Sequence, residues 1–176
     1  MPERALIALG LLLVAGPVCA GGPATPALGR ELTTAEVAAL PRTVFPDGRG
    51  LPAGSGSVAE GRVLYEQQCR ACHGPRGVGG TADELAGGRM PLDSEWPDKN
   101  VGTYWPYATT VFDFVRRSMP LTAPGSLSAD QAYALTAWLL YRNDILPADA
   151  VLDEASLPAV RMPNRDGFIR VWPAAH

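Results

Sequence analysis

Cysteine and histidine are scarce in this chain: three and two among 176 residues. A structural zinc site needs a second Cys or His pair at its own spacing, and the chain has none to offer. The histidine count leaves no evident distal acid–base group either, since one of the two is the terminal residue His176. Basic runs and basic stripes are missing and the pI is near 5.3, which excludes nucleic acid as a partner. Strand-like alternation is nearly absent, and no segment repeats. The apolar run over residues 5–14 is too short to cross a bilayer as a helix. Proline and glycine, in contrast, are plentiful at 17 and 19, which favours turns and loops over long regular elements.

Two of the three cysteines stand in the pentapeptide Cys69-Arg70-Ala71-Cys72-His73. C-x-x-C-H is the attachment signature of a c-type haem. Two thiols on one turn of backbone can each form a thioether with a haem vinyl group, and the next residue places an imidazole beneath the iron. A thioredoxin-like pair would sit between a strand and a helix of a parallel sheet, and the surroundings here look helical. A disulfide across two intervening residues would leave His73 without a reason. One covalently attached haem c is the expectation, with Cys69 and Cys72 as attachment points and His73 as an axial iron ligand.

The amino terminus reads as an export signal. Arg4 and the free amine give a short positive region, diluted by Glu3, before the apolar stretch and Val18-Cys19-Ala20. Cleavage after Ala20 is expected, which removes Cys19. The alternative, a lipoprotein acylated on Cys19, is poorly matched by Val18. Export with a cleavable signal places the mature chain in the periplasm, with no transmembrane anchor after cleavage. Losing Glu3 and Arg4 takes one from each of the 18 acidic and 15 basic residues, so the formal charge stays at −3. About 156 residues remain, enough for one domain.

After the signal (residues 1–20), the chain divides into three stretches. Residues 21–56 form a Pro/Gly-rich arm with room for one short helix, from Thr33 or Thr34 to Leu40. Residues 57–145 carry the haem machinery. Residues 146–176 return to irregular, proline-rich chain. In the middle stretch Ser57-Val58-Ala59-Glu60 is a capping box opening a helix to about Arg70. Ser128-Ala129-Asp130-Gln131 is a second box, opening a helix to about Asn143 with Ala132, Leu135 and Leu139 at helical spacing. A shorter helix is predicted over Thr110 to Ser118, ending before Pro120. The fold class is mainly α, with irregular N- and C-terminal extensions.

An early helix ending in the haem motif, followed by a late helix, resembles a class I cytochrome c. In that family the two helices cross closely because a glycine on the first lacks a side chain and aromatic residues fill around it. Gly61, Tyr65 and Trp138 fit the pattern, although each also reads as ordinary core. For the sixth iron position the mature chain offers Met90, Met119, Met162 and His176. Met119 lies 46 residues beyond His73 and nine before the Ser128 cap, on the loop where the resembling family places its methionine. Loop methionines at 90 and 162 would then cover a haem edge or fill a gap. His/Met ligation raises the reduction potential and fills the coordination sphere. The chain would be an electron-transfer protein and not a catalyst in its own right.

Other residues near the motif carry weaker signals. Gly74, Gly77, Gly79 and Gly80 lack the Lys-Ser/Thr partner of a phosphate loop and suit a loop folded closely over the porphyrin. Trp105 and Tyr107 have polar ring atoms that could donate to a haem propionate, or both could be aromatic core. Arg116 and Arg117 could pair with propionates or an acidic partner, or lie on a solvated helix face.

The run from Val101 through Trp105 and Tyr107 to Thr110, then Phe112-Asp113 and Arg116 to Pro120, resembles the SoxD-type cytochromes. So do the stretch from Pro46 to Ser57 and the stretch from Met162 to Phe168. These are the haem subunits of molybdenum-containing sulfite or sulfane dehydrogenases in bacterial sulfur oxidation. The resemblance implies that electrons arrive singly from a molybdenum-containing dehydrogenase subunit and leave to a downstream cytochrome c or oxidase. Some members continue into a second haem-bearing domain, so this chain would be a single-haem version. Two other classes of function share part of the argument. A general periplasmic shuttle for another dehydrogenase would differ only in its partner surface. A haem sensor or peroxidase-like enzyme would need Met119 not to bind.

Overall fold

The computed structural model describes residues 29–40, 43–88, 90–169 and 171. The signal-peptide expectation and His176 lie outside them. The chain forms two compact units, one ending at Leu40 and the other beginning at Pro41.

In the first unit a short helix, α1 (Thr34–Ala39), starts from a capping box: the Thr33 hydroxyl accepts from the Glu36 backbone and the Glu36 carboxylate accepts from the Thr33 N–H. Arg30 also reaches the Glu36 carboxylate, and this bond, with the two from Thr33, lowers the Glu36 pKa to about 2. The large apolar side chains Leu32, Val37 and Leu40 are all exposed.

The second unit is built on helices α2 (Val58–Gln68), α3 (Arg70–His73), α4 (Ala108–Ser118) and α5 (Ala129–Arg142). Both predicted capping boxes are present. Ser57 exchanges bonds of 3.2 and 2.8 Å with Glu60, and Ser128 exchanges bonds of 3.2 and 2.9 Å with Gln131. Every residue of α5 from Ala132 to Leu140 is buried, as expected of a helix surrounded by protein. Helix α2 crosses it at Gly61. A Cβ there would lie 1.9 Å from the Ala134 carbonyl oxygen and 2.8 Å from the Trp138 Cβ, so only glycine permits this approach. One turn further along, the Tyr65 ring stacks on Trp138 with centroids 3.9 Å apart.

Helix α4 begins at Ala108, two residues before the predicted start. Ala108 and Thr109 are buried in the core, and this burial extends the helix beyond what local propensity indicates. Two strands, which the sequence did not signal, pair antiparallel: β1 (Ser55–Ser57) and β2 (Val151–Asp153), with Gly56 opposite Leu152. A three-residue strand is too short to show alternation. The pairing brings the chain after α5 back beside the start of α2. From there Leu152, Leu157 and Met162 enter the core at 2%, 0% and 1% exposure. Among the described residues no helix is long and apolar enough to cross a membrane.

Candidate haem site

Cys69 is at once the C-cap of α2 and the N-cap of α3, and α3 is the single turn that carries Cys72 and His73. The turn is fixed from outside: the Tyr65 hydroxyl donates to the Gly74 carbonyl at 2.8 Å. Burial, then the nearby Cys69 thiol, pushes the Tyr65 hydroxyl up to about 12, so it stays a donor at neutral pH. The loop that follows folds back onto the motif, and a Cβ on Gly80 would lie 2.0 Å from the Cys72 carbonyl oxygen. His73 Nδ1 lies 2.8 Å from the Asp83 carbonyl oxygen. A carbonyl only accepts, so Nδ1 carries the proton and Nε2 keeps its lone pair. Leu85 is held in turn by Asn143, which donates from the end of α5 at 3.0 Å.

Tyr65, Cys69, Cys72, His73, Asp83 and Leu85 line a cleft of about 630 Å³. Cys69, Cys72 and His73 stand on one part of its wall, and Met119, the C-cap of α4, on another. Apolar side chains from α4 and α5, among them Val111, Val115, Leu135 and Leu139, line it as well. Neither cysteine is in a disulfide, and burial, then Cys72, pushes the Cys69 thiol up to about 11. No group of three or more His, Cys, Asp or Glu capable of holding a bare metal ion occurs among the described residues. Two thiols, an imidazole with one nitrogen free, a thioether and a deep apolar cleft together suit a covalently attached haem.

The other predicted residues separate. Trp105 lines the cleft, its ring edge-on to Phe114 at 5.6 Å. Tyr107 does not: it caps α4, and the Arg165 guanidinium lies over its ring at 4.3 Å. The tyrosine on that wall is Tyr104, a residue the sequence did not single out. Of the three methionines, Met119 alone lines the cleft. Met90 faces a separate, shallower groove with Pro163 and Asn164, and Met162 is in the core. Arg116 and Arg117 are half-buried on α4, Arg117 bonded to Asp113 at 2.8 Å, and neither lines the cleft. The Asp83 carbonyl was invisible in sequence, since every residue type offers one.

A closely crossed helix pair, a haem-binding pentapeptide at the end of the first helix and an apolar cleft between them define a class I cytochrome c. Residues 56–139 match the family model described as cytochrome C oxidase, cbb3-type, subunit III. In the crystal structure of the sulfane dehydrogenase SoxCD from Paracoccus pantotrophus, a chain 42% identical to this one superposes with a TM-score of 0.75. The match covers 82% of this chain and 72% of that one. The thiosulfate dehydrogenase of Stutzerimonas stutzeri (strain A1501) is 31% identical over 125 residues, 70% of this chain and 38% of that protein. That of Allochromatium vinosum is 35% identical over 82 residues, 46% of this chain and 29% of that protein. This chain thus spans only about a third of the length of those two relatives. It belongs to the SoxD-type cytochromes c, electron-transfer proteins with covalently bound haem c.

Proposed function

We propose that the chain is a periplasmic, single-haem electron carrier of sulfur oxidation. It would take electrons from a molybdenum-containing sulfite or sulfane dehydrogenase subunit and pass them to a downstream cytochrome c or oxidase. The observation that carries the site is the meeting of Cys69, Cys72, His73 and Met119 on one apolar cleft. The similarity to a chain of SoxCD supports the partner, and the sequence of residues 1–20 supports export.

In this reading Cys69 and Cys72 would hold a haem as thioethers, His73 Nε2 and the Met119 sulfur would bind its iron, and Trp105 would be a donor to a propionate. When bound, the haem supplies one-electron Fe(III)/Fe(II) chemistry. The Asp83 carbonyl keeps the imidazole in one tautomer and one orientation, and the apolar walls limit water near the ligands. A neutral thioether favours the reduced state. With both axial positions filled by side chains, the protein moves electrons and leaves substrate chemistry to its partner. Oxidation of sulfite to sulfate releases two electrons, so each turnover of the partner reduces two copies of this chain or one copy twice.

The test is optical: haem reduction by sulfite, with and without the molybdenum dehydrogenase purified from the same periplasm. Reduction that requires the partner and saturates with it is expected. A haem that stays oxidised while an artificial donor reduces it would transfer the chain to a shuttle for another dehydrogenase. The likeness to two thiosulfate dehydrogenases favours a second reading, in which thiosulfate is the electron source. Reduction by thiosulfate without any added subunit would select it.

A further inference from the structure

One wall of the cleft carries polar groups that the four proposed haem ligands do not use. Residues 99–105 bring Lys99, Tyr104 and Trp105 to its lining, the first two exposed at its mouth and Trp105 half-buried. Lys99 is the only Lys or Arg on the cleft among the described residues, and it pairs with no carboxylate among them. The acidic side chains on the cleft, Asp83 and Glu84, stand on the His73 side, where Glu84 accepts from the Gly79 N–H at 3.2 Å.

Haem carries its two vinyl groups on one edge and its two propionates on the opposite one. Thioethers at Cys69 and Cys72 would hold the vinyl edge at α3, which leaves the propionates to the other walls. His73 and Met119 would bind the iron, and the side chains that α4 and α5 bring to the cleft are apolar. The 99–105 wall alone combines a cation with two aromatic donors, and it lacks the carboxylates that would repel a propionate.

We propose that Lys99 is the counter-cation of a haem propionate, with Tyr104 and Trp105 donating beside it, and that this pairing raises the reduction potential. The inference rests on the ligand set proposed above. An unpaired propionate stabilises the extra positive charge of Fe(III). A neighbouring ammonium cancels part of that effect in proportion to its proximity, weakened by the water and salt that reach the exposed Lys99. Lysine is a compact point charge and needs no fixed fork geometry for this role.

The experiment is spectroelectrochemical titration of the full haem-loaded chain as wild type, Lys99→Gln, Lys99→Glu and Lys99→Arg. Arg62→Gln is the control, because Arg62 is exposed on α2 and absent from the cleft. At a fixed poise the Fe(II)/Fe(III) ratio should fall about threefold to tenfold in Lys99→Gln and further in Lys99→Glu. Lys99→Arg should keep the wild-type ratio, and Arg62→Gln should move it far less. A tenfold change corresponds to about 59 mV for a one-electron couple. Lys99→Gln behaving like Arg62→Gln, with the haem spectrum intact, would overturn the Lys99 role and leave the ligand set standing. A wild-type haem that acid–acetone extracts, or a Met119→Ala spectrum identical to wild type, would overturn the ligand set itself.

Discussion

Two stretches of this chain read alike in sequence and differ in structure. The residues before the haem domain and those after it are both rich in proline and poor in periodicity. Segments of such composition cannot form a core alone, so each must pack on something or stay free of it. The first is divided: α1 leaves Leu32, Val37 and Leu40 exposed, whereas Val44 and Gly56, nearer the haem domain, are buried. The second turns back, pairs β2 with β1 and buries Leu152, Leu157 and Met162. Proline tells where a chain turns. Whether it is buried depends on where its few large apolar side chains fall, and in the tail they recur about every five residues, one for each turn of an irregular path.

The largest test of this contrast is truncation. Ending the chain at Leu146 removes three fully buried apolar side chains, each worth about 1.5–3 kcal/mol of transfer free energy. Against a typical domain stability of about 5–15 kcal/mol, most of the protein should then fail to fold. Haem loading and thermal unfolding read the outcome, and an unchanged Tm would make the tail dispensable. Next in size, Leu157→Ala should cost about 2–5 kcal/mol in urea unfolding, because the 3₁₀ turn that carries Leu157 packs on α4.

A smaller effect comes from Asp153, the last residue of β2. Its carboxylate accepts from the backbone N–H groups of Ser156 and Ala155 at 2.7 and 3.0 Å and from the Ser156 hydroxyl at 2.8 Å. These bonds, the Ser156 backbone first, hold its pKa below 3.8. A depressed carboxylate pKa stabilises the fold above the unfolded value and loses that contribution as pH falls through the folded one. Asp153→Asn should therefore lower Tm at pH 7, with the gap from wild type closing below about pH 4. The smallest effect is expected in the arm. Glu36→Ala removes both the Arg30 ion pair and the acceptor for the Thr33 N–H, so α1 should fray in NMR shifts while the unfolding midpoint of the haem domain stays put. A midpoint that moved with α1 would erase the contrast.

Sequence legibility followed the range of each interaction. The starts of α2 and α5 were visible because Ser57 and Glu60, or Ser128 and Gln131, complete their exchange within four residues. Gly61, Tyr65 and Trp138 were visible as a set because a helical period relates the first two and a family likeness the third. The pairing of Ser55 with Asp153 was not, since nothing local in either tripeptide names its partner. The cleft wall before α4 failed for a related reason. Without a helical or strand period, Tyr104 and Tyr107 look interchangeable, and only the three-dimensional path puts Tyr104 on the cleft and Tyr107 beneath Arg165. Main-chain acceptors such as the Asp83 carbonyl have no signature at all.

Synthesis runs in one direction, and that gives the Gly61 crossing a temporal meaning. Ala134 and Trp138, against which Gly61 and Tyr65 rest, are made more than sixty residues after Cys72 and His73, and Leu157 and Met162 later still. Until then the cleft has no floor. The pentapeptide is therefore made well before its surroundings, and it stays reachable after they close: Cys72 is exposed and no residue of α3 is buried in the folded chain.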